Sequence, residues 1–188
     1  MEADDVACLQ LRLKNPDGSP APDDAIRSTA ALLQPIAQKN GVDFLLNDAV
    51  HLAEQLPCDG VHIGQSDTPC KEARARLGEN KIIGITCHDS RHLALEAGEA
   101  GADYVAFGAF FPTTTKPTKY RPAPSLLDWW QTMTQIPCVA IGGITPENAA
   151  PLIKAGADFI AVSAAVWTHP QGAGEAVRLF NKIFDDAS

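Results

Sequence analysis

The chain has 188 residues, of which 45% are hydrophobic, so residues 1–188 are predicted to form one domain with a buried core. The formal net charge of −8 argues against a broad nucleic-acid surface, and an anionic ligand would have to meet a local group of basic residues. No apolar stretch approaches the ~20 residues that cross a bilayer. The acidic start MEADDVACLQ does not have the pattern of a signal peptide. We therefore expect a cytoplasmic protein with no membrane or nucleic-acid partner and with its five cysteines reduced.

Seven short apolar runs alternate with helical patterns along the chain. The runs span residues 7–14, 43–48, 60–67, 81–88, 103–116, 138–145 and 158–166. Helices are predicted at about 23–39, 49–56, 70–77, 90–100, 125–135, 146–156 and 172–186. The alternation predicts an α/β fold, a TIM-type (β/α) barrel with seven of its eight strand-helix units identifiable. A doubly wound open sheet would give similar runs, but no Gly-x-Gly-x-x-Gly turn follows the first of them.

Basic residues are concentrated in the first run, ACLQLRLK. Gln10, Arg12 and Lys14 alternate along it and should project from one face of a strand. Two cations on a buried face are costly unless an anion or carboxylate meets them, so this run is a candidate anion site. The alternative is an edge strand whose polar face is solvated.

Carboxylates follow the next two runs. The second ends at Asn47 and Asp48, and the third ends at Asp67, so two carboxylates should lie just beyond neighbouring strands. Single oxygen ligands from separate loops, completed by water and substrate phosphate, suit Mg²⁺. Each aspartate alone would more often be a turn or cap residue.

Three later segments are candidates for binding phosphate. The segment 111–116 supplies threonine hydroxyls and a lysine directly after a strand. Segments 141–144 and 161–164 place glycines and small residues after the last two strands, where backbone N–H groups can approach a phosphate. A glycine pair could equally mark a bulge or a packing contact. The Pro-rich stretch 112–124 is predicted to be a long loop.

Two histidines and one cysteine in or beside the predicted strands are candidate reactive groups. His62 lies within a strand and is predicted to be a satisfied structural residue, whereas His88 could act as an acid or base. Cys87 shows no sign of activation and is predicted to pack in the interior.

In order, the motifs QLRLK, LLND, HIGQSD, FFPTTTK, IGGITPENA and AVSAAV resemble the thiamine phosphate synthase family. The resemblance covers the chain from about Asp5 to its end. It implies a (β/α)8 barrel and an Mg²⁺-dependent transferase of thiamine biosynthesis. Such an enzyme joins hydroxymethylpyrimidine pyrophosphate to hydroxyethylthiazole phosphate and releases pyrophosphate.

The resemblance also implies three groups of site residues. The pyrimidine pyrophosphate site would comprise Gln10, Leu11, Arg12, Leu13, Lys14, Asn47, Thr86 and Lys116. Asp48 and Asp67 would bind Mg²⁺, and the thiazole phosphate would be held by Thr113, Thr115, Gly143, Val162 and Ser163. Arg12, Lys14 and Lys116 would be the catalytic cations that neutralise the departing pyrophosphate. Thr86 stands where the family usually has Ser, and Ala49 where Arg often follows Asn-Asp.

The first run corresponds to the family's second strand, which predicts that the first strand-helix unit is missing. Three alternatives to an active synthase stay open: a thiazole tautomerase-like relative, a non-catalytic binder of phosphate ligands, and a normal enzyme whose start lies upstream. If the chain is complete, an open barrel of reduced stability or edge pairing in a homo-oligomer is expected.

Overall fold

The computed structural model describes residues 5–113 and 119–187. Its strands are β1 (Cys8–Leu11), β2 (Asp43–Asn47), β3 (Gly60–Ile63), β4 (Ile82–His88), β5 (Tyr104–Gly108), β6 (Cys138–Ile141) and β7 (Phe159–Ala161). Its helices are α1 (Asp23–Lys39), α2 (Val50–Ala53), α3 (Cys70–Leu77), α4 (Arg91–Glu99), α5 (Ser125–Met133), α6 (Pro146–Lys154), α7 (Ala164–Trp167) and α8 (Ala173–Ala187). None of the helices in these described ranges is long and apolar enough to span a membrane.

Each predicted run contains a strand, but the strands are shorter than the runs. β1 ends at Leu11, and Lys14 forms an isolated antiparallel bridge with Pro20. The prediction of a strand to residue 166 was wrong in its second half, because Ala164 begins α7. Alanine is a strong helix former and the preceding Ser163 suits a helix start, which favours a helical turn there over further strand.

The sheet order decides between the two architectures that the sequence left open. All seven strands are parallel, and they pair in the order β1-β2-β3-β4-β5-β6-β7. A doubly wound sheet reverses its strand order, whereas a (β/α) barrel adds each strand beside the last. The fold is therefore barrel-like, with β1 and β7 as the two edges of the described sheet.

The sheet curls so that side chains from separated strands meet on its inner face. Tyr104 of β5 hydrogen-bonds His62 of β3 across β4, with 2.8 Å between the hydroxyl and Nδ1. Gly84 of β4 leaves the space, since a Cβ at that position would lie 1.9 Å from the Tyr104 ring. Burial and then the Cys8 thiol of β1 raise the pKa of Tyr104.

The outer face of the sheet carries the hydrophobic core. Phe44, Leu46 and Phe107 are fully buried there, together with Leu127 and Trp130 of α5. Strands covered by helices on this face need apolar side chains at alternate positions. The helices thereby fix the strands whose carboxyl ends form the site.

Three aspartates pair the strands at the opposite, amino end of the sheet. The carboxylates of Asp59, Asp103 and Asp158 accept backbone N–H groups of Phe44, Ile83 and Cys138 at 2.7, 2.7 and 2.8 Å. Two of these aspartates end the repeated sequence Ala-Gly-Ala-Asp, at 100–103 and 155–158, whose glycines Gly101 and Gly156 adopt φ of 90° and 96°. Positive φ favours glycine over any residue with a Cβ.

Replacing Asp158 with alanine should test this pairing. Asp158→Ala removes the acceptor for the buried Cys138 N–H and for the Gln131 side chain, so the free energy of unfolding should fall by about 1–3 kcal/mol. Urea denaturation would measure the loss. The exposed Asp185 of α8 is the control, and Asp185→Ala should change the free energy of unfolding by less than about 0.5 kcal/mol. Equal effects of the two substitutions would contradict the pairing role.

Candidate functional site

The predicted site residues collect at one edge of the sheet, where the carboxyl ends of the parallel strands meet. The structure places Gln10, Leu11, Arg12, Leu13, Lys14, Asn47, Asp48, Asp67, Thr86, Thr113, Gly143, Val162 and Ser163 within or shortly after the strands there. Thr115 and Lys116 lie outside the described residues. The carboxyl ends of the strands, with the loops that follow them, form the mouth of the barrel-like sheet.

The polar residues of β1 and β2 form one unit at the mouth. The Gln10 side-chain amide donates to Oδ1 of Asn47 at 2.8 Å, which fixes both side chains on neighbouring strands. Arg12 and Lys14 lie beyond the end of β1, so their chain is loop where the sequence predicted strand. A loop position lets these cations reach a ligand at the mouth without the cost of full burial.

The two leucines predicted beside these cations serve the fold. Leu11 pairs with Leu46 in the sheet and its side chain packs against the hydrophobic core. The carbonyl of Leu13 accepts the N–H of Ala21 at 3.3 Å, which turns the chain back after β1. These contacts hold the segment that carries Arg12 and Lys14.

The two predicted metal ligands follow adjacent strands, β2 and β3. Asp48 adopts a φ of 62°, and its N–H donates to the carbonyl of His62 at 2.8 Å. Oδ2 of Asp67 accepts the N–H of Gly64 at 2.8 Å, which holds that carboxylate in place after β3. Within residues 5–113 and 119–187 no three His, Cys, Asp or Glu side chains form a metal cluster. Two carboxylates with hard oxygen donors fit Mg²⁺, which usually keeps several waters and binds substrate phosphate.

A partly buried chain of hydrogen bonds on the inner face of the sheet ends at Thr86. His62, which is 8% exposed, bonds Tyr104 through Nδ1 and Oγ1 of Thr86 through Nε2 at 2.7 Å. The Gln65 side chain donates to the carbonyl of Thr86 at 2.7 Å. His62 is therefore a satisfied interior histidine, as predicted, but one of its partners is a predicted site residue.

Two glycines let the loop after β5 lie against the loop after β6. Gly142 and Gly143 have φ of 92° and 65°. The Gly142 carbonyl accepts the N–H of Phe111 at 3.0 Å, and a Cβ on Gly143 would lie 2.3 Å from the carbonyl oxygen of Pro112. This close approach holds Pro112, the residue before Thr113, against the glycine turn.

Val162 and Ser163 occupy the turn between β7 and α7. The Val162 side chain packs against the core, whereas Ser163 is exposed and its carbonyl accepts the N–H groups of Val166 and Trp167 at 3.0 Å. Since β7 pairs with β6, this turn lies next to the glycine turn at the mouth.

Comparison with known proteins gives a near full-length match. The sequence model described as thiamine monophosphate synthase matches residues 1–166. The chain is 56% identical to the thiamine-phosphate synthase of Rhodospirillum centenum over 97% of its own length and 86% of that protein. It is 54% identical to that of Hyphomonas neptunium, over 98% and 83% respectively.

The chain belongs to the thiamine monophosphate synthase family. Its fold agrees with a solved structure titled thiamine phosphate pyrophosphorylase from Pyrococcus furiosus, with a TM-score of 0.84 and 31% identity. That match covers 96% of this chain and 84% of the other. The resemblance drawn from the ordered motifs is thus confirmed.

Sequence reasoning missed several side chains at the mouth of this family member. Tyr120 stacks on His88 with 4.1 Å between ring centroids, and His88 itself adopts a φ of 56°. Nζ of Lys119 lies 5.5 Å from the centroid of the Tyr120 ring, and the Arg121 guanidinium donates to the carbonyl of Ala109 at 3.4 Å. Their signal was the run Lys-Tyr-Arg in the Pro-rich loop, where cations interleave with an aromatic residue.

Cys87 fits the prediction of an interior packing residue. It is fully buried, and burial raises the pKa of its thiol to about 12, so it stays protonated at neutral pH. All five cysteines are free thiols.

The close approach at Gly143 predicts an asymmetric effect of alanine. Gly41, between α1 and β2, has a φ of 67° that nearly equals the 65° of Gly143, but a Cβ there would meet nothing within 4 Å. Gly41→Ala should therefore cost only the strain of positive φ, about 1–2 kcal/mol. Gly143→Ala should cost clearly more in urea denaturation, because its Cβ also collides with backbone. Equal losses from the two substitutions would show that the two loops do not press together at Gly143.

Proposed function

We propose that this chain joins hydroxymethylpyrimidine pyrophosphate to hydroxyethylthiazole phosphate, forming thiamine phosphate and pyrophosphate. The observation that carries the proposal is the 56% identity, over 97% of the chain, to a protein named thiamine-phosphate synthase. The cations, carboxylates and glycine turns at the mouth support it. Retention of Arg12, Lys14, Asp48 and Asp67 disfavours a thiazole tautomerase, which needs no pyrophosphate site.

The pyrophosphate of the first substrate would lie against the segment after β1. Arg12 and Lys14 would neutralise its charge, joined by Lys116, while the paired Gln10 and Asn47 would orient it. Positive charge is scarce on a chain with a formal net charge of −8, so these local cations would direct an anion to the mouth.

Asp48 and Asp67 would hold Mg²⁺ between β2 and β3. Bound there, Mg²⁺ would offset negative charge on the leaving group. The N–H of Gly64 fixes Oδ2 of Asp67, so this carboxylate needs little reorganisation to bind a cation. The thiazole phosphate would lie between Thr113, Thr115, Gly143 and the Val162–Ser163 turn.

The chemistry needs no protein nucleophile. The bond between the pyrimidine methylene and the pyrophosphate oxygen breaks, and pyrophosphate leaves with the electron pair. The lone pair of the thiazole nitrogen then forms the new C–N bond to the methylene cation. The protein would contribute positioning and charge neutralisation, which often supply most of the rate enhancement.

Supplying both substrates and MgCl2 to the purified protein tests the proposal directly. Thiamine phosphate and pyrophosphate should appear in equal amounts, measured by chromatography and a coupled pyrophosphate assay. A folded preparation that binds thiazole phosphate without turnover would instead support a non-catalytic binder, and ring isomerisation seen by NMR would support a tautomerase.

Removing one carboxylate charge should weaken the metal dependence. Asp67→Asn keeps an oxygen that can accept the Gly64 N–H but loses the negative charge. The Mg²⁺ concentration for half-maximal activity should rise at least ~10-fold. The exposed Asp185→Asn is the matched control and should leave the Mg²⁺ titration unchanged. An unchanged titration for Asp67→Asn would exclude Asp67 as a ligand.

Removing a cation after β1 should weaken pyrophosphate neutralisation. Arg12→Gln is expected to lower kcat/KM by roughly 10²-fold, since charge-assisted hydrogen bonds to phosphate are lost at the leaving group. Arg27 of α1 donates to the Gln55 side chain, and Arg27→Gln should leave kcat/KM within about twofold. If both variants match the unsubstituted enzyme, Arg12 does not bind the substrate.

We further propose a cytoplasmic location, supported by the five free cysteines, and a homo-oligomer formed through the sheet edges. Phe159 of the edge strand β7 is 44% exposed, and Trp167 of the following helix α7 is 69% exposed. Light scattering should then give a mass above that of one 20.0 kDa chain, and a stable monomer would exclude the oligomer.

A further inference from the structure

The partly buried chain of Tyr104, His62 and Thr86 lies on the inner face of the sheet and ends near the mouth. Its two hydrogen bonds, of 2.8 and 2.7 Å, connect three successive strands, β5, β3 and β4, through one imidazole. The geometry is enforced by packing: Gly84 leaves room for the Tyr104 ring, which stacks on His62 with 5.6 Å between centroids. An imidazole held on both sides cannot turn to exchange its nitrogens without breaking both bonds.

Counting protons along this chain fixes the tautomer of His62. Burial raises the pKa of Tyr104, so its hydroxyl keeps its proton at neutral pH. Among the described residues, His62 is the acceptor that the structure gives to that proton. If Nδ1 carried the hydrogen, it would point at the tyrosine oxygen, and the partly buried O–H would lose its acceptor at a cost of up to about 1–3 kcal/mol. In the neutral ring the hydrogen is therefore on Nε2.

The tautomer sets the direction of the Thr86 hydroxyl. Nε2–H donates to Oγ1 of Thr86, which occupies one lone pair of that oxygen and leaves its own proton available. The Thr86 carbonyl already accepts from Gln65, and β-branching restricts χ1, so the half-buried hydroxyl has little freedom. In the opposite tautomer the hydroxyl would donate to His62 and turn lone pairs toward an incoming anion.

We propose that His62 is a positioning residue that, by donating to Thr86, leaves the Thr86 hydroxyl to donate to the anionic pyrophosphate at the mouth. This inference rests on the proposed function, because Thr86 is assigned to the pyrophosphate site there. In this role His62 would act on the anion through Thr86. A purely structural His62 would instead stabilise the sheet, with no specific coupling between the two side chains in anion binding.

A double-mutant cycle on pyrophosphate binding separates the two roles. Isothermal calorimetry with inorganic pyrophosphate and MgCl2 should show Kd raised roughly tenfold by Thr86→Val and by a similar factor by His62→Gln, in line with the loss of a hydrogen bond to a charged group. The double variant should be no more than about twofold weaker than either single variant. The proposal would be overturned if the Kd of the double variant rose by the product of the two single-variant factors. It would also be overturned if either single variant left Kd unchanged.

Two further variants guard against a folding defect. Thr86→Ser keeps the hydroxyl and should retain binding within about threefold, which distinguishes loss of the proton donor from loss of volume. Tyr104→Phe keeps the ring but removes the proton that fixes the tautomer, so it should weaken pyrophosphate binding with little change in thermal midpoint. If Tyr104→Phe binds pyrophosphate like the unsubstituted protein, the tautomer does not control Thr86.

NMR of protein labelled with ¹⁵N-histidine reads the tautomer itself. The His62 signal, assigned by its loss in His62→Gln, should show a protonated Nε2 and an unprotonated Nδ1; the reverse assignment would overturn the inference. Neither the spectrum nor the binding cycle needs turnover. Failure of the proposed reaction would thus appear as missing product with the cycle intact, whereas failure of this inference would appear as an uncoupled cycle in an active enzyme.

Discussion

Parallel pairing of successive strands is the constraint on which the rest of this structure depends. Because each strand adds beside the preceding one, every carboxyl end lies at the same edge of the sheet. Residues as distant in sequence as Arg12 and Ser163 are therefore placed around one mouth. Helices on the outer face bury Phe44, Leu46 and Phe107, which keeps the strands in register without using the inner face.

The two ends of the sheet have different tasks. At the amino end, the carboxylates of Asp59, Asp103 and Asp158 accept hydrogen bonds from backbone N–H groups of neighbouring strands and so stabilise the fold. At the carboxyl end Asp48 and Asp67 follow strands at turns, where a carboxylate can meet a cation. Five similar residues thus divide between structure and proposed chemistry according to which end of a strand they occupy.

The inner face contributes a link between these tasks. Polar groups in the interior of a curled sheet must be paired, and Tyr104 and His62 satisfy each other at the centre. The second nitrogen of His62 extends that pairing to Thr86, so an arrangement required for burial also orients a residue of the proposed pyrophosphate site.

Much of this could be read from sequence because it is local. The short apolar runs located every described strand, and α1 and α3 match their predicted bounds. Such runs, helical periodicity and turn residues depend only on neighbours in the chain. Prediction failed at residues 164–166, where a short apolar run looks the same whether it continues as strand or turns into helix. It also missed Tyr104, Tyr120 and Arg121, whose partners are distant in sequence.

The sequence by itself determined the class of fold, the family and the residues able to carry charge at strand ends, because ordered motifs and side-chain chemistry are properties of the chain alone. Only the tertiary structure decided between barrel-like and doubly wound sheet, and which inward-facing side chains touch. Strand order and register set those contacts: Gly84 pairs with both His62 and Tyr104, and its lack of a side chain lets the two meet across β4. No local pattern encodes that placement, since it arises from the order in which strands distant in sequence pair.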